Sequence, residues 1–144
     1  MRIYLDVCSY NRPFDEKNQI NVEIESIAKL HIQKLIREGK YDLVWSYILD
    51  FENKCNPYDE RRESIQQWEN IAKYYCVPSD EIRERAKQLN KLKIKENDAL
   101  HISCAIDSKC SYFITTDYKL IRKPIDEIKI INPTDFINKI YEKV

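Results

Sequence analysis

Short apolar runs alternate along the chain with longer stretches of helical spacing, and this alternation constrains the fold more than any other feature. "RIYLD" (2–6), "DLVWS" (42–46), "SYFIT" (111–115) and "EIKII" (127–131) read as strands, too short and apolar for anything but buried β-structure. From Ile20 to Glu38, residues Ile20, Ile24, Ile27, Ala28 and Leu35 recur at helical spacing and predict a helix with that stripe toward the core; His31 falls on the same stripe and needs no role beyond packing. A helix is expected straight after "DLVWS". A charged helix is expected over "NPYDERRESIQQWENIAKYY" (56–75), with Pro57 near its start. "SDE" opens a helix over 79–92 with a capping signature. "ENDALHISCAIDS" (96–108) is apolar on most sides and predicts a helix buried against a sheet, and Pro133 starts a closing helix. Strands separated by helices build a parallel sheet covered on both faces. The expected fold is therefore α/β, a three-layer α/β/α sandwich around a central, mainly parallel sheet.

The 144 residues suit one domain spanning 1–144, with no repeat or linker to divide it. A chain of this length buries roughly 70% of its unfolded surface, enough for a core without staples. Hydrophobic residues make up 43% and charged residues 33%, the balance of a globular chain rather than a disordered one. No apolar run approaches the roughly 20 residues that span a bilayer, and an acid at residue 6 rules out a signal-peptide core, so a cytoplasmic protein is expected. The formal net charge is zero, which excludes the strongly basic balance of a high-affinity, sequence-blind nucleic-acid binder. Cys8, Cys55, Cys76, Cys104 and Cys110 contain no C-x-x-C pair and read as reduced thiols.

The chain has a single glycine, Gly39, which follows a helical pattern and reads as a helix C-cap. With no other glycine there is no G-x-G-x-x-G, no phosphate-cradling P-loop and no G-x-S-x-G nucleophile elbow.

Parallel sheets bind ligands outside the carboxyl ends of their strands. Two of the expected strands end there in an acid, Asp6 and Asp117, and Asp98 opens the buried helix. Each has an ordinary alternative: a turn or cap for Asp6, a cap of "DYKLIRK" for Asp117, a helix-dipole partner for Asp98. Glu52 falls in the second turn of the helix after "DLVWS", where only one of Glu52 and Asp50 can face inward. Several carboxylates in one cleft repel each other, and some stay protonated unless a cation joins them. Mg²⁺ takes oxygen ligands, needs one or two carboxylates and keeps several waters. It can activate a water and neutralise a phosphate under in-line attack.

The ordered set "IYLDVCSYNRPFD", "SYILDFE", "NDALHISCAI" and "YFITTDYKLIRK" resembles the PIN domain family, in particular the VapC-type ribonuclease toxins of toxin–antitoxin pairs. The resemblance spans nearly the whole chain and implies a PIN-like fold, with acids that bind Mg²⁺ or Mn²⁺ and cut single-stranded RNA. Position by position, it places the catalytic acids at Asp6, Glu52, Asp98 and Asp117. Asp6, Asp98 and Asp117 would ligate the metal, and Glu52 would hold or deprotonate the attacking water. Thr115 and Thr116 would orient Asp117. Val7 and Cys8 depart from the small polar residues usual after the first acid, so Asn11 is expected to supply the missing polar partner. Lys119 stands where a further acid is common, which favours one metal over two. Arg12, Lys119, Arg122 and Lys123 are candidates to hold RNA phosphates, "KLKIK" (91–95) is a weaker one, and Tyr10 is a candidate to stack on a base. A homodimer and a protein antitoxin are the partners the resemblance implies. "DVC" lacks the D-x-D of haloacid-dehalogenase-like phosphatases, and Asp6 lacks the second acid of receiver domains. A non-catalytic PIN-like nucleic-acid-binding or scaffold module is the surviving alternative.

Overall fold

In the computed structural model, which describes residues 1–12 and 19–142, the core is a five-stranded sheet in which every pairing is parallel. The strands are β1 (Arg2–Leu5), β2 (Asp42–Ser46), β3 (Tyr74–Cys76), β4 (Tyr112–Ile114) and β5 (Lys129–Ile131), in the spatial order β3-β2-β1-β4-β5. Central β1 is buried throughout Ile3, Tyr4 and Leu5, as a strand covered on both faces must be. Each such fully buried side chain contributes about 1.5–3 kcal/mol. The strand order reverses between β1 and β4, and a cleft opens beyond their carboxyl ends.

The helices are α1 (Val7–Asn11), α2 (Ile20–Arg37), α3 (Tyr47–Lys54), α4 (Asp59–Gln66), α5 (Trp68–Ile71), α6 (Asp80–Asn90), α7 (Glu96–Asp107), α8 (Tyr118–Ile121) and α9 (Pro133–Ile140). Local chemistry sets their ends. Ser79 caps α6 through the Ile82 amide at 3.2 Å. Gly39 ends α2 at φ +77°, its N–H bonded to Ile36 O and that of Lys40 to Leu35 O, both at 3.0 Å. That 5→2 and 6→1 pair requires a left-handed residue, which is why the one glycine is here. Among the described residues no helix is long and apolar enough to cross a membrane.

Two expectations fail. The charged helix does not continue through Lys73, Tyr74 and Tyr75: Ala72 turns extended (ψ 141°), Lys73 N–H bonds to Leu43 O, and Tyr74–Cys76 pair with β2 as a short edge strand. Aromatic residues suit that half-covered position, where pairing outweighs helix continuation. The helix over 20–38 forms, and Ala28 and Leu35 of the expected stripe are buried, but its isoleucines are not. Ile20, Ile24 and Ile27 are 74%, 44% and 63% exposed, whereas Val22, Ser26, Ile32 and Ile36 face inward with Glu25 and Lys29. Glu25 meets Arg12 at 3.6 Å, and Lys29 lies 5.3 Å from the Tyr10 ring centre. Polar partners let charged residues take part of the inner face, so hydrophobicity alone misplaced Ile20, Ile24 and Ile27. His31, on that stripe, hydrogen-bonds Tyr141.

Candidate active site

Asp6 follows β1 directly, and its backbone N–H continues the ladder to Ile114 O at 2.9 Å. Its carboxylate is buried and well supplied with donors. Oδ1 accepts from Val7 N at 2.7 Å, capping α1. Oδ2 accepts from Thr115 Oγ1 at 3.0 Å and lies 3.3 Å from Cys8 Sγ. Burial, and after it the Asp6 charge, push the Cys8 thiol up to about 12, so it stays protonated and available as a donor. Asn11 does not take the role expected of it. Its amide donates to Val7 O at 3.0 Å and accepts from Asn56 Nδ2 at 3.3 Å, not from the Asp6 carboxylate's surroundings. Cys8 is the partner, because the first residues of α1 turn it back toward β4.

Thr115 binds the Asp6 carboxylate and receives the Asp117 N–H at 3.1 Å. Thr115 thus hydrogen-bonds Asp117 as expected, at its backbone N–H, and also holds the Asp6 carboxylate. Thr116 is buried, and its amide faces Cys8 Sγ at 3.4 Å rather than the Asp117 carboxylate. Asp117 Oδ1 accepts from Lys119 N and Leu120 N and caps α8. The capping alternatives for Asp6 and Asp117 are thus real, and both acids still stand at the rim of the cleft.

Glu52 reaches the cleft from the second turn of α3, and its Oε1 lies 2.7 Å from His101 Nε2. His101 is fully buried. Its Nδ1 is 2.6 Å from Tyr4 Oη, which is 2.6 Å from Ser46 Oγ, which accepts from Leu49 N. Burial alone would lower the His101 pKa. The Glu52 hydrogen bond and the charges of Asp6, Glu52 and Asp98 outweigh it and raise it. His101 Nε2 is also 4.0 Å from Asp6 Oδ1. The only sequence signal for this histidine is its place three residues after Asp98 on α7, on the same helix face. Asp50 faces away, accepting from Trp45, Gln66 and Tyr75.

The Asp98 carboxylate, in the first turn of α7, has no hydrogen bond to a described residue. Burial raises its carboxyl to about 6, aided by repulsion from Asp6, Asp117 and Glu52 and opposed by His101. One carboxyl that feels all three others locates the four acids in one field. Among the described residues no three His, Cys, Asp or Glu side chains converge closely enough to clamp a metal by themselves. The donor set nevertheless suits Mg²⁺ or Mn²⁺: all-oxygen, with uncompensated negative charge at Asp98, for an ion that takes one or two carboxylates and fills its remaining positions with water.

The cleft has two unlike flanks. Beyond Asp98 and Asp117 lie adjoining cavities of about 270 and 490 Å³, lined by Lys93, Lys119 and Lys123 together with Lys91, Lys95 and Arg122. None of these cations has an acidic partner within ion-pair distance among the described residues. On the other flank, Glu52 borders a cavity of about 440 Å³ that also takes in Arg12. Tyr10 borders neither: it is fully buried, its ring edge-on to Trp45, and cannot stack on a base. The expected motif's last residues, 13–15, lie outside the described residues.

Comparison with solved structures finds the same fold. VapBC2 from Rickettsia felis bound to a promoter DNA fragment matches with a TM-score of 0.58 at 16% identity, covering 92% of this chain and 98% of that one. VapBC-1 from nontypeable Haemophilus influenzae matches at 0.60 and 20% identity, covering 93% and 99%. FitAcB from Neisseria gonorrhoeae matches at 0.58 and 14% identity, covering 91% and 97%. No curated protein matches the sequence significantly. The model of the PIN domain family matches residues 15–125, a stretch that holds Glu52, Asp98 and Asp117 and begins beyond Asp6. With most of its length matched, the chain belongs to the PIN domain family.

Proposed function

We propose that this PIN domain, acting as a single domain over 1–144, is a Mg²⁺- or Mn²⁺-dependent endoribonuclease that cuts single-stranded RNA, and that it is the toxin of a toxin–antitoxin pair. The PIN family is one of nucleases, and the similar VapBC structures support the toxin assignment. The observation that carries the reading is the meeting of four acids at one cleft: Asp6 and Glu52 both lie beside His101 Nε2, and Asp98 and Asp117 line one cavity. Asp6, Asp98 and Asp117 would hold the ion, which supplies charge neutralisation at the phosphate and a more acidic water.

The chain's own residues do the rest. Thr115 and Cys8 fix the Asp6 carboxylate, and α8 fixes that of Asp117. Glu52, held by His101, is placed to accept a proton from the attacking water. The Tyr4 and Ser46 hydroxyls behind His101 hold its ring in orientation. Lys119 and Arg122 bind RNA phosphates leaving the Asp98 side; Arg12 does so from the Glu52 side, its guanidinium already steered by Glu25. A homodimer, an antitoxin partner and a cytoplasmic location complete the proposal.

The test is cleavage of single-stranded RNA with added Mg²⁺ or Mn²⁺. Activity is expected to vanish with EDTA and to fall about 10²- to 10³-fold in Asp98→Asn, with an unchanged melting temperature or a higher one. Absence of cleavage by the unsubstituted protein, with RNA still bound, would leave the non-catalytic binding or scaffold module as the function.

A further inference from the structure

The Glu52 flank differs from the lysine flank in ways that phosphate binding does not explain. Its cavity, about 440 Å³, falls within the roughly 300–1,000 Å³ of ligand clefts. It opens onto the acids, since Glu52 and the residues next to Asp6, Val7 and Cys8, form part of its wall. Arg12, at one edge of it, can meet a phosphate as the lysines do on the other flank. The remaining lining suits a flat, neutral, hydrogen-bonding ligand.

Tyr58 is 60% exposed, and the Arg61 guanidinium stands 4.6 Å from its ring centre. Two planar groups therefore meet at the mouth of the cavity. Asn11 and Asn56 supply amides deeper in, and both are fixed. Asn56 Nδ2 donates to Asn11 Oδ1 at 3.3 Å, Asn11 donates to Val7 O, and Asn56 Oδ1 accepts from Tyr58 N at 3.1 Å. Arg62 holds the same loop by donating to Asn56 O at 2.9 Å. Each Asn amide carries two donor hydrogens and two acceptor lone pairs, so these bonds leave capacity for a ligand edge. An aromatic or guanidinium plane beside fixed amides is how single-stranded RNA bases are read: stacked on the plane and hydrogen-bonded along an edge.

We infer that the cavity between α1 and the α3–α4 turn, formed by Tyr58, Arg61, Asn56 and Asn11, holds one unpaired nucleobase beside the phosphate to be cut and sets sequence preference. This rests on the nuclease reading proposed above. A strand then runs from the lysine flank, which grips only phosphates, across the acids to the flank that reads a base.

The test uses binding, so it does not depend on cleavage. The Asp98→Asn protein is titrated with short oligo-A, oligo-C, oligo-G and oligo-U at fixed salt, following fluorescence anisotropy. One homopolymer is expected to bind best. Tyr58→Ala should weaken that one by about 5- to 150-fold, the range for one lost base–aromatic stack, and flatten the ranking. Tyr58→Phe, which keeps the ring, should preserve the ranking, and Asn56→Ala should narrow it. Lys91→Ala with Lys93→Ala should weaken all four alike and lower the salt dependence. Equal binding of the four homopolymers, or a ranking untouched by Tyr58→Ala and Asn56→Ala, overturns the inference. A Tyr58-dependent ranking in a protein whose unsubstituted form cuts no RNA would keep the pocket and remove the nuclease.

Discussion

Glu52 and Asp98 sit on opposite sides of one cleft and are held in opposite ways. Glu52 is at the end of a continuous hydrogen-bonded chain through His101, Tyr4 and Ser46, rooted in the buried ends of β1 and β2. Asp98 has no such support and meets burial and repulsion instead. A positioned base needs a fixed orientation, which hydrogen bonds give. A carboxylate without donors and among other acids gains most from a cation, which relieves the repulsion that raises it. The two acids can thus share one field because their supports differ.

The largest effect that would break this contrast is on the Glu52 side. His101→Ala removes the Glu52 anchor and leaves the buried Tyr4 hydroxyl without its ring partner. Cleavage is expected to fall 10- to 100-fold, as for other lost outer partners of catalytic groups, and stability by about 1–3 kcal/mol in urea unfolding. Cleavage unaffected by this change would show that Glu52 needs no anchor.

A second measurement separates the flanks by pH. The folded Asp98 carboxyl, at about 6, lies above its ordinary 3.8, so without metal the folded state holds a proton the unfolded state has released. Stability should therefore fall as pH rises from about 4 to 6. His101 is also raised, above 6.5, and its stabilisation should be lost at higher pH, from about 6.5 upward. Melting temperature against pH in EDTA should show both declines. Asp98→Asn should remove the lower one and, because the Asp98 charge helps raise His101, shrink the upper one; Mg²⁺ should oppose the lower decline in the unsubstituted protein. A lower decline that survives Asp98→Asn would deny Asp98 its strained ionisation.

The smallest effect serves as a control outside both flanks. Tyr75→Phe deletes one of the donors to Asp50, which burial would raise but which the Tyr75, Trp45 and Gln66 hydrogen bonds keep below its usual range. Stability should drop by about 1 kcal/mol or less and RNA cleavage should not change. A large loss of cleavage would mean that the β3 edge takes part in the site.

The sequence carried the strand-end acids well, because a carboxylate closing an apolar strand contradicts the pattern around it and so is visible. Helix spacing allowed only one of Glu52 and Asp50 to face inward, and the resemblance to PIN domains, not the spacing, named Glu52. The sequence did not carry His101, since nothing in "NDALHISCAI" distinguishes a buried hydrogen-bonding histidine from a packed one until Glu52 and Tyr4 are seen beside it. Nor did it separate Cys8 from Asn11 as the partner of Asp6, because that depends on how far a one-turn helix rotates after β1. The outward Ile20, Ile24 and Ile27 of α2 misled for a related reason: partners supplied by other segments let Glu25 and Lys29 take the inner face.

Residue order alone set the strands β1, β2, β4 and β5 between helices, the glycine at the end of α2 and the absence of any glycine-built phosphate loop. These follow from local rules, the side-chain period and the φ a residue tolerates. Tertiary structure alone decided which acids share a field, which of them is braced and which is bare, and that unpaired lysines and fixed amides lie on opposite sides of the cleft. Charge repulsion and hydrogen bonding act across a few ångströms whatever the distance along the chain, so only the folded arrangement of β1, α3, α7 and β4 could set them.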